Sequence, residues 1–237
     1  FYSGSILPAM SELETYMWGG YYSTIGSANL FITKATALLD SDSFTTEEKT
    51  EIKRYIGEAM FMRAYCYYYL AERFCKAYSS ETANAEYGGV PVVTTYDPTS
   101  DNSQYPARNT LAETYAQIND DLTKAREYID TDGSSMSPYV TLDVVKAMQA
   151  RVALAMKNYP DALKYAEEVI NTRRYTLAGQ GNLGTYWTYD SGAESIWLVT
   201  MDKQNVGLET GLYFLTNTGN PPFIPTQASV DLFDKEK

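Results

Sequence analysis

Apolar and polar residues recur with the period of an α-helix over most of this chain. Between residues 14 and 74 there are two such runs, separated by the turn residues 41–43. Thr45 and Glu48 open the second run with the spacing of a capping box. A helix with one apolar face must bury that face against another element. The pattern therefore predicts that the two helices pack together as a hairpin.

Two further helical hairpins are predicted, over residues 110–157 and from residue 158 to about 175 onward. Thr110 and Glu113 repeat the capping-box spacing, and Pro160 stands in the first turn of the last helix, where its missing N–H costs no hydrogen bond. Three helix pairs of similar design form a degenerate internal repeat, close to the tetratricopeptide unit of about 34 residues. Such pairs stack because one hairpin cannot bury its own apolar face.

Two regions lack the helical period. Residues 76–108, which we call the excursion, are rich in Ser, Asn, Thr, Gly and Pro and separate the first two hairpins. Residues 176–237 contain a strand-like run at 194–199 and are otherwise irregular, so we expect the beginning of a loop-rich C-terminal subdomain that is incomplete in this chain. The predicted fold is mainly α, with tetratricopeptide-like helical hairpin repeats over residues 1–175 and a short irregular or β C-terminal part.

Composition argues against several classes of function. The chain carries 30 Asp and Glu against 19 Lys and Arg, a formal net charge of −11, which disfavours binding to nucleic acid or to an anionic membrane surface. No apolar run has the length of a transmembrane helix. Histidine is absent, which removes the Ser-His-Asp and Cys-His catalytic arrangements and the usual zinc sites. We predict no metal and no cofactor.

Adjacent carboxylates are the candidates for hydrolytic chemistry. They occur at Asp120–Asp121 and at Glu167–Glu168. A glycosidase needs two carboxylates that face each other across a substrate, whereas neighbours on one helix point about 100° apart. We interpret both pairs as solvated helix surface and predict that the protein is not an enzyme. Glu58 and Arg63 are interpreted as contacts where packed helices meet.

Tyrosine is unusually frequent, with 22 residues beside 8 Phe and 3 Trp. Its ring combines an apolar face with a hydroxyl, which suits sugar-binding surfaces as well as half-buried packing, and we assign most of the tyrosines to packing. Trp197, in an apolar run, is predicted to be core, and Trp18 is weighed more towards packing than binding. The candidate ligand-binding residues are Trp187, Tyr186, Tyr189, Trp18 and Tyr96, with Trp187 the strongest because it lies in a Gly- and Thr-rich loop.

A set of short motifs occurs along the chain. They lie at Trp18 to Asn29, Ile56 to Tyr65, Tyr87 to Val92, Arg108 to Leu122, Ala162 to Ile170 and Glu194 to Trp197. In order and spacing the set resembles the SusD/RagB family: the first motif resembles the family's W-x-x-x-Y-x-x-I-x-x-A-N helix, the second its GEA-x-x-x-RA helix and the third its YGGVPL run. Each motif alone is weak, but the ordered set is specific.

The resemblance implies a non-catalytic lipoprotein on the outer face of the outer membrane, which binds an oligosaccharide or polysaccharide and delivers it to a TonB-dependent transporter. Membrane contact is then expected only through an N-terminal lipid anchor that is absent from this chain. Two alternatives stay open. One is a helical-repeat scaffold that binds a protein and no glycan, and the other is a glycoside hydrolase with two unrecognised carboxylates.

Overall fold

The structure, a computed structural model, describes residues 17–182, 184–186, 192–199, 227–228 and 231. The chain divides into two compact units, Phe1–Val199 and Thr200–Lys237. In the second unit the described residues are Gln227, Ala228 and Asp231, each exposed. The candidate Trp187 and Tyr189 lie outside the described residues. The domain boundary predicted after residue 175 remains a proposal.

In the described residues of the first unit, five α-helices form the body. They are α1 (Gly20–Leu39), α2 (Thr46–Phe74), α3 (Leu111–Tyr128), α4 (Leu142–Ala155) and α5 (Tyr159–Ile170). Each helix packs against the next one along the chain, most extensively α1 on α2, α2 on α3 and α4 on α5. This arrangement confirms the predicted mainly helical fold. The first helix is predicted from residue 14, and residues 14–16 lie outside the described part.

Both predicted capping boxes are present and explain where α2 and α3 begin. Thr45 Oγ1 accepts the Glu48 N–H at 3.2 Å, and Glu48 Oε2 accepts the Thr45 N–H at 2.8 Å. Thr110 and Glu113 form the same pair of hydrogen bonds at 3.2 and 2.8 Å. Each box satisfies backbone N–H groups that have no partner within the helix.

The strand predicted at 194–199 is reduced to one parallel bridge, between Ser137 and Trp197. The Met136 N–H donates to the Ser195 carbonyl at 2.7 Å, and the Leu198 N–H donates to the Ser137 carbonyl at 3.0 Å. The pairing stays short because its partner is a turn between α3 and α4 rather than an extended strand. We call residues 192–199 the bridge segment.

Asp121 corrects the sequence interpretation, because it is 1% exposed rather than part of a solvated surface. Arg63 of α2 donates to both of its carboxylate oxygens, at 2.8 and 2.6 Å, and donates a third hydrogen bond to Asn29 of α1 at 2.7 Å. Asn29 in turn donates to the carbonyls of Val93 and Thr95. This buried polar network joins α1, α2, α3 and the excursion.

Of the two acidic pairs, Asp120–Asp121 and Glu167–Glu168, the other three side chains are either exposed to solvent or held in an ion pair. Asp120 and Glu167 are exposed, as predicted. Glu168 accepts a hydrogen bond from Arg126 at 2.6 Å and so links α5 to α3. Position within the helical repeat, rather than residue type, decides which acids face solvent.

Candidate functional site

Five aromatic side chains form a continuous row, which we call the aromatic row. Its members are Tyr21 of α1, Phe61, Tyr65 and Tyr69 of α2, and Trp197 of the bridge segment. Tyr21 and Tyr69 are nearly parallel, with an interplanar angle of 6°, and the rings of Tyr65 and Tyr69 are 4.6 Å apart. Trp197 meets Tyr65 edge to face at 5.8 Å. The three α2 residues share one face because they are spaced four apart.

Most of the aromatic row lines a cavity of about 350 Å³, which we call the aromatic cavity. Its inner wall includes the buried side chains Phe61, Val144 and Met148, so α2 and α4 both contribute to it. Arg151 and Glu194 are exposed and also line the cavity. An apolar interior with a few polar groups at its edge is typical of a small-ligand site.

The polar groups of the aromatic cavity include both donors and acceptors. Arg151 Nη1 donates to the Tyr69 hydroxyl at 3.0 Å, and Glu194 Oε2 accepts the Ala178 N–H at 2.8 Å. The indole nitrogen of Trp197 is buried and has no hydrogen-bond partner among the described residues. An unpaired buried N–H is costly, so an acceptor placed beside it stabilises the site.

The pKa of Tyr65 is raised to about 12, mainly because the side chain is partly buried and secondly because it hydrogen-bonds to the Tyr69 hydroxyl. Desolvation disfavours the charged phenolate, so the hydroxyl stays neutral across the physiological pH range. A neutral hydroxyl both donates and accepts a hydrogen bond. Tyr65 therefore presents the same hydrogen-bonding groups over that range.

The described residues among the predicted candidates lie in separate places. Trp18 is half-buried, with ring centroids 5.0 Å from both Tyr22 and Phe74, which favours the packing interpretation. Tyr96 is 49% exposed, and its ring lies over Gly26 of α1. None of these residues lines the aromatic cavity, so as a binding set they remain a prediction.

Tyr186 lies at a second, smaller cavity of about 300 Å³ formed by residues 176–179, Asn182, Thr185 and residues 192–193. Its hydroxyl is 2.5 Å from Ser195 Oγ, which holds the half-buried ring against the bridge segment. Because Tyr186 borders a cavity, it remains a candidate contact for a ligand.

Sequence reasoning missed Tyr65 and Tyr69 because it looked for binding aromatics in loops. The available signal was the spacing of Phe61, Tyr65 and Tyr69, which puts three rings on one helical face. Trp197 was predicted to be core, and it is half-buried against Phe61 and Tyr65. The pairing of these rings across distant segments required the fold itself.

In the described part of the chain, no group of three or more Cys, Asp or Glu side chains is placed to hold a metal ion. Within the same residues, no helix combines the length and apolar character needed to cross a membrane.

Comparison with known proteins gives a match to one family model. The model, SusD-like and described as starch-binding associating with the outer membrane, matches residues 9–154. That range includes α1 to α3 and nearly all of α4. No curated protein is significantly similar in sequence.

Several solved structures share the fold. A SusD superfamily protein from Bacteroides thetaiotaomicron is 24% identical with a TM-score of 0.73, covering 92% of this chain and 47% of its own. A SusD-like carbohydrate-binding protein from Bacteroides vulgatus is 22% identical with a TM-score of 0.60. The match covers 77% of this chain and 36% of that protein. A SusD superfamily protein from Bacteroides fragilis is 25% identical with a TM-score of 0.62. The match covers 80% of this chain and 41% of that protein. The chain thus spans less than half the length of these structures.

Proposed function

Because the chain belongs to the SusD-like family, we propose that it binds oligosaccharide or polysaccharide at a bacterial outer membrane without altering it chemically. The match over residues 9–154 carries this proposal, since the family is described as starch-binding in association with that membrane. One of the similar structures is described as a carbohydrate-binding protein.

The aromatic cavity supports sugar binding. A sugar ring has apolar C–H faces that stack on aromatic rings, and Tyr65, Tyr69 and Trp197 provide such rings within one cavity. Its hydroxyl groups need donors and acceptors, which Arg151 and Glu194 offer at the edge. The unpaired Trp197 N–H supplies a further donor.

The single carboxylate that the described residues contribute to the aromatic cavity supports a binding function rather than hydrolysis. Glycoside hydrolysis uses a pair of carboxyl groups that flank the scissile bond. Among the described residues that line the aromatic cavity, Glu194 contributes one carboxylate. The buried Asp121 is paired with Arg63 and is therefore committed to the packing of α2 and α3.

We extend the proposal to delivery of the captured glycan to a TonB-dependent transporter, by a protein that is lipid-anchored in its full-length form. Its outer-membrane setting follows from the description of the family. The loop aromatics Trp187, Tyr186, Tyr189 and Tyr96 are kept as further candidate contacts with the glycan, and Trp18 as the least favoured of the predicted set.

Protein binding is a second candidate function, favoured by the outer face of α1. Leu30, Phe31 and Leu38 are 39%, 44% and 40% exposed, and Lys34 is the one charged residue of that helix. Exposed apolar side chains grouped on one helix are typical of contact surfaces. Such a surface is compatible with docking to a transporter while the aromatic cavity holds a glycan.

Affinity gel electrophoresis and calorimetry with a panel of polysaccharides test the proposal. We expect Tyr65→Ala and Tyr69→Ala each to weaken binding about tenfold, because ring stacking contributes roughly 0.5–1.5 kcal/mol beyond burial. Tyr139→Ala is the matched control, since that ring is 69% exposed and lies outside the lining of the aromatic cavity.

Three other outcomes are informative. Unchanged polysaccharide binding in both variants would exclude the aromatic cavity as the binding site. Weaker binding by Trp187→Ala would then indicate that the site lies in the loop that contains Trp187. An absence of binding to every polysaccharide would favour the protein-binding scaffold.

A further inference from the structure

Two arginines contact Tyr69 of the aromatic row. The guanidinium carbon of Arg73 is 4.6 Å from the centre of the Tyr69 ring and 5.8 Å from that of Tyr21. Arg151 approaches from α4 and donates to the Tyr69 hydroxyl at 3.0 Å. Tyr69 thus carries one cation over its face and another at its hydroxyl.

Neither arginine forms an ion pair within the described residues. Four other arginines do so, namely Arg54, Arg63, Arg126 and Arg174. Arg108 instead donates to the carbonyls of Gly89 and Phe74. In a chain with 30 acidic and 19 basic residues, two guanidinium groups beside one ring form a local concentration of positive charge.

The nearby carboxylate offsets only part of this positive charge. Glu194 lines the same cavity as Arg151, but one of its oxygens accepts the Ala178 N–H and no ion pair joins the two side chains. Arg73 is bound weakly by its own helix, through a 3.4 Å hydrogen bond to the Tyr69 carbonyl. Both guanidinium groups therefore have N–H donors left for a ligand.

We propose that the aromatic cavity prefers anionic oligosaccharides, whose carboxylate or sulfate group binds Arg151 of the cavity lining while the sugar ring stacks on the tyrosines. Arg73, whose guanidinium group lies over the Tyr69 ring, adds a second positive charge beside the cavity. The inference rests on the proposed glycan-binding function and names its substrate class. Guanidinium groups suit this task, because their planar fork matches the oxygens of a carboxylate or sulfate and also packs on aromatic faces. Both guanidinium groups are exposed, so their attraction for an anion is weakened by salt.

Matched ligand pairs test the charge preference in the 237-residue chain. Oligogalacturonide is compared with its methyl ester, and dextran sulfate with dextran, so that each pair differs in charge on the same sugar rings. We expect the charged member of at least one pair to bind about tenfold more tightly, and the difference to shrink at high salt. Which pair responds separates a carboxylate from a sulfate ligand.

The double variant Arg73→Gln, Arg151→Gln is expected to lose this preference while its thermal unfolding stays close to that of the wild type. Arg173→Gln is the control, because that exposed arginine neither lines the aromatic cavity nor lies over Tyr69 as Arg73 does. Equal binding of both members of each pair, or a preference that survives in the double variant, would overturn the inference but not glycan binding. Binding of the neutral glycans and not of the anionic ones would also overturn the charge preference while leaving glycan binding intact. If neither these ligands nor any other polysaccharide binds, both proposals fail together.

Discussion

Arg63 donates two parallel hydrogen bonds to Asp121, and both side chains are almost completely buried, at 7% and 1% exposed. The pair joins α2 to α3 at the centre of the helical stack. Removing one partner of a buried ion pair leaves the other charge without compensation in a medium of low dielectric constant. Breaking the pair from one side is therefore expected to destabilise the protein strongly.

Asp121→Ala is expected to lower the free energy of unfolding by about 3–5 kcal/mol, because it leaves the Arg63 guanidinium buried and unpaired. Urea denaturation followed by circular dichroism measures the loss. Asp120→Ala is the control, since its exposed side chain should change stability by less than about 0.5 kcal/mol. Equal effects of the two substitutions would contradict the buried pairing.

The contrast between these neighbouring acids shows what the sequence could reveal. Asp121 lies on the same helical face as Ile118, Leu122 and Ala125, all of which are fully buried. The helical period therefore indicated that Asp121 lies on the buried face of α3. The interpretation of both acidic pairs as solvated surface did not take this position into account. Helices and their caps were predictable because they depend on residues close in sequence.

The aromatic cavity was less accessible to sequence reasoning. Its rings come from α2 and the bridge segment, and Tyr65 and Trp197 are 132 positions apart in numbering although their ring centroids are 5.8 Å apart in space. Such a contact follows from how helices pack rather than from any local pattern. Trp187 and Tyr189, which lie outside the described residues, stay predictions for the same site or a neighbouring one.

Gly89 packs so closely on the start of α3 that a side chain has no room. A Cβ atom there would collide with the Thr110 carbonyl oxygen and with Thr114 Oγ1. The same contact lets the Gly89 N–H donate to the Asn109 carbonyl at 2.8 Å. The backbone of the excursion is thereby fixed against α3.

We expect Gly89→Ala to destabilise the protein by about 1–3 kcal/mol, the usual cost of overpacking, as measured by thermal unfolding. Gly20→Ala is the control, because a Cβ atom at that position has no heavy atom within 4 Å. A melting temperature for Gly89→Ala no lower than that for Gly20→Ala would show that the close approach is not maintained.

Tyr67 holds the excursion against α2 with one hydroxyl. That oxygen accepts the Val93 N–H and donates to the Val93 carbonyl, both at 2.7 Å. Burial raises the pKa of Tyr67 to about 12, so the hydroxyl remains neutral and can fill both roles. Tyr67→Phe leaves both backbone groups of Val93 without this partner.

Tyr67→Phe should therefore cost roughly 1–3 kcal/mol of unfolding free energy and speed amide hydrogen exchange at Val93. Denaturant titration and hydrogen exchange measure the two effects separately. Tyr139→Phe, which removes a hydroxyl from a ring that is 69% exposed, should change neither. Unaltered exchange at Val93 would argue against the paired hydrogen bonds.

The two capping boxes predict how the stability of the protein changes as the pH is lowered. The backbone hydrogen bonds from Thr45 and Thr110, the largest cause in each case, lower the pKa of Glu48 and Glu113 below the ordinary value of 4.5. Since folding favours the deprotonated form, this contribution is complete above pH 4.5 and is lost as the pH falls through the lower folded-state pKa. Glutamine keeps an acceptor at the same position but does not ionise.

We expect the double variant Glu48→Gln, Glu113→Gln to melt slightly below the wild type at pH 7, because a charged acceptor forms the stronger cap and also favours the helix N-terminus. Melting curves from pH 7 down to pH 3 should show the gap closing as the wild-type glutamates protonate. Glu47→Gln serves as the control, because Glu47 lies in the same first turn but is not the capping-box acceptor. A gap that stays constant to the lowest pH would mean that the glutamate charge adds nothing to the caps, and that their hydrogen-bond geometry alone sets the start of α2 and α3.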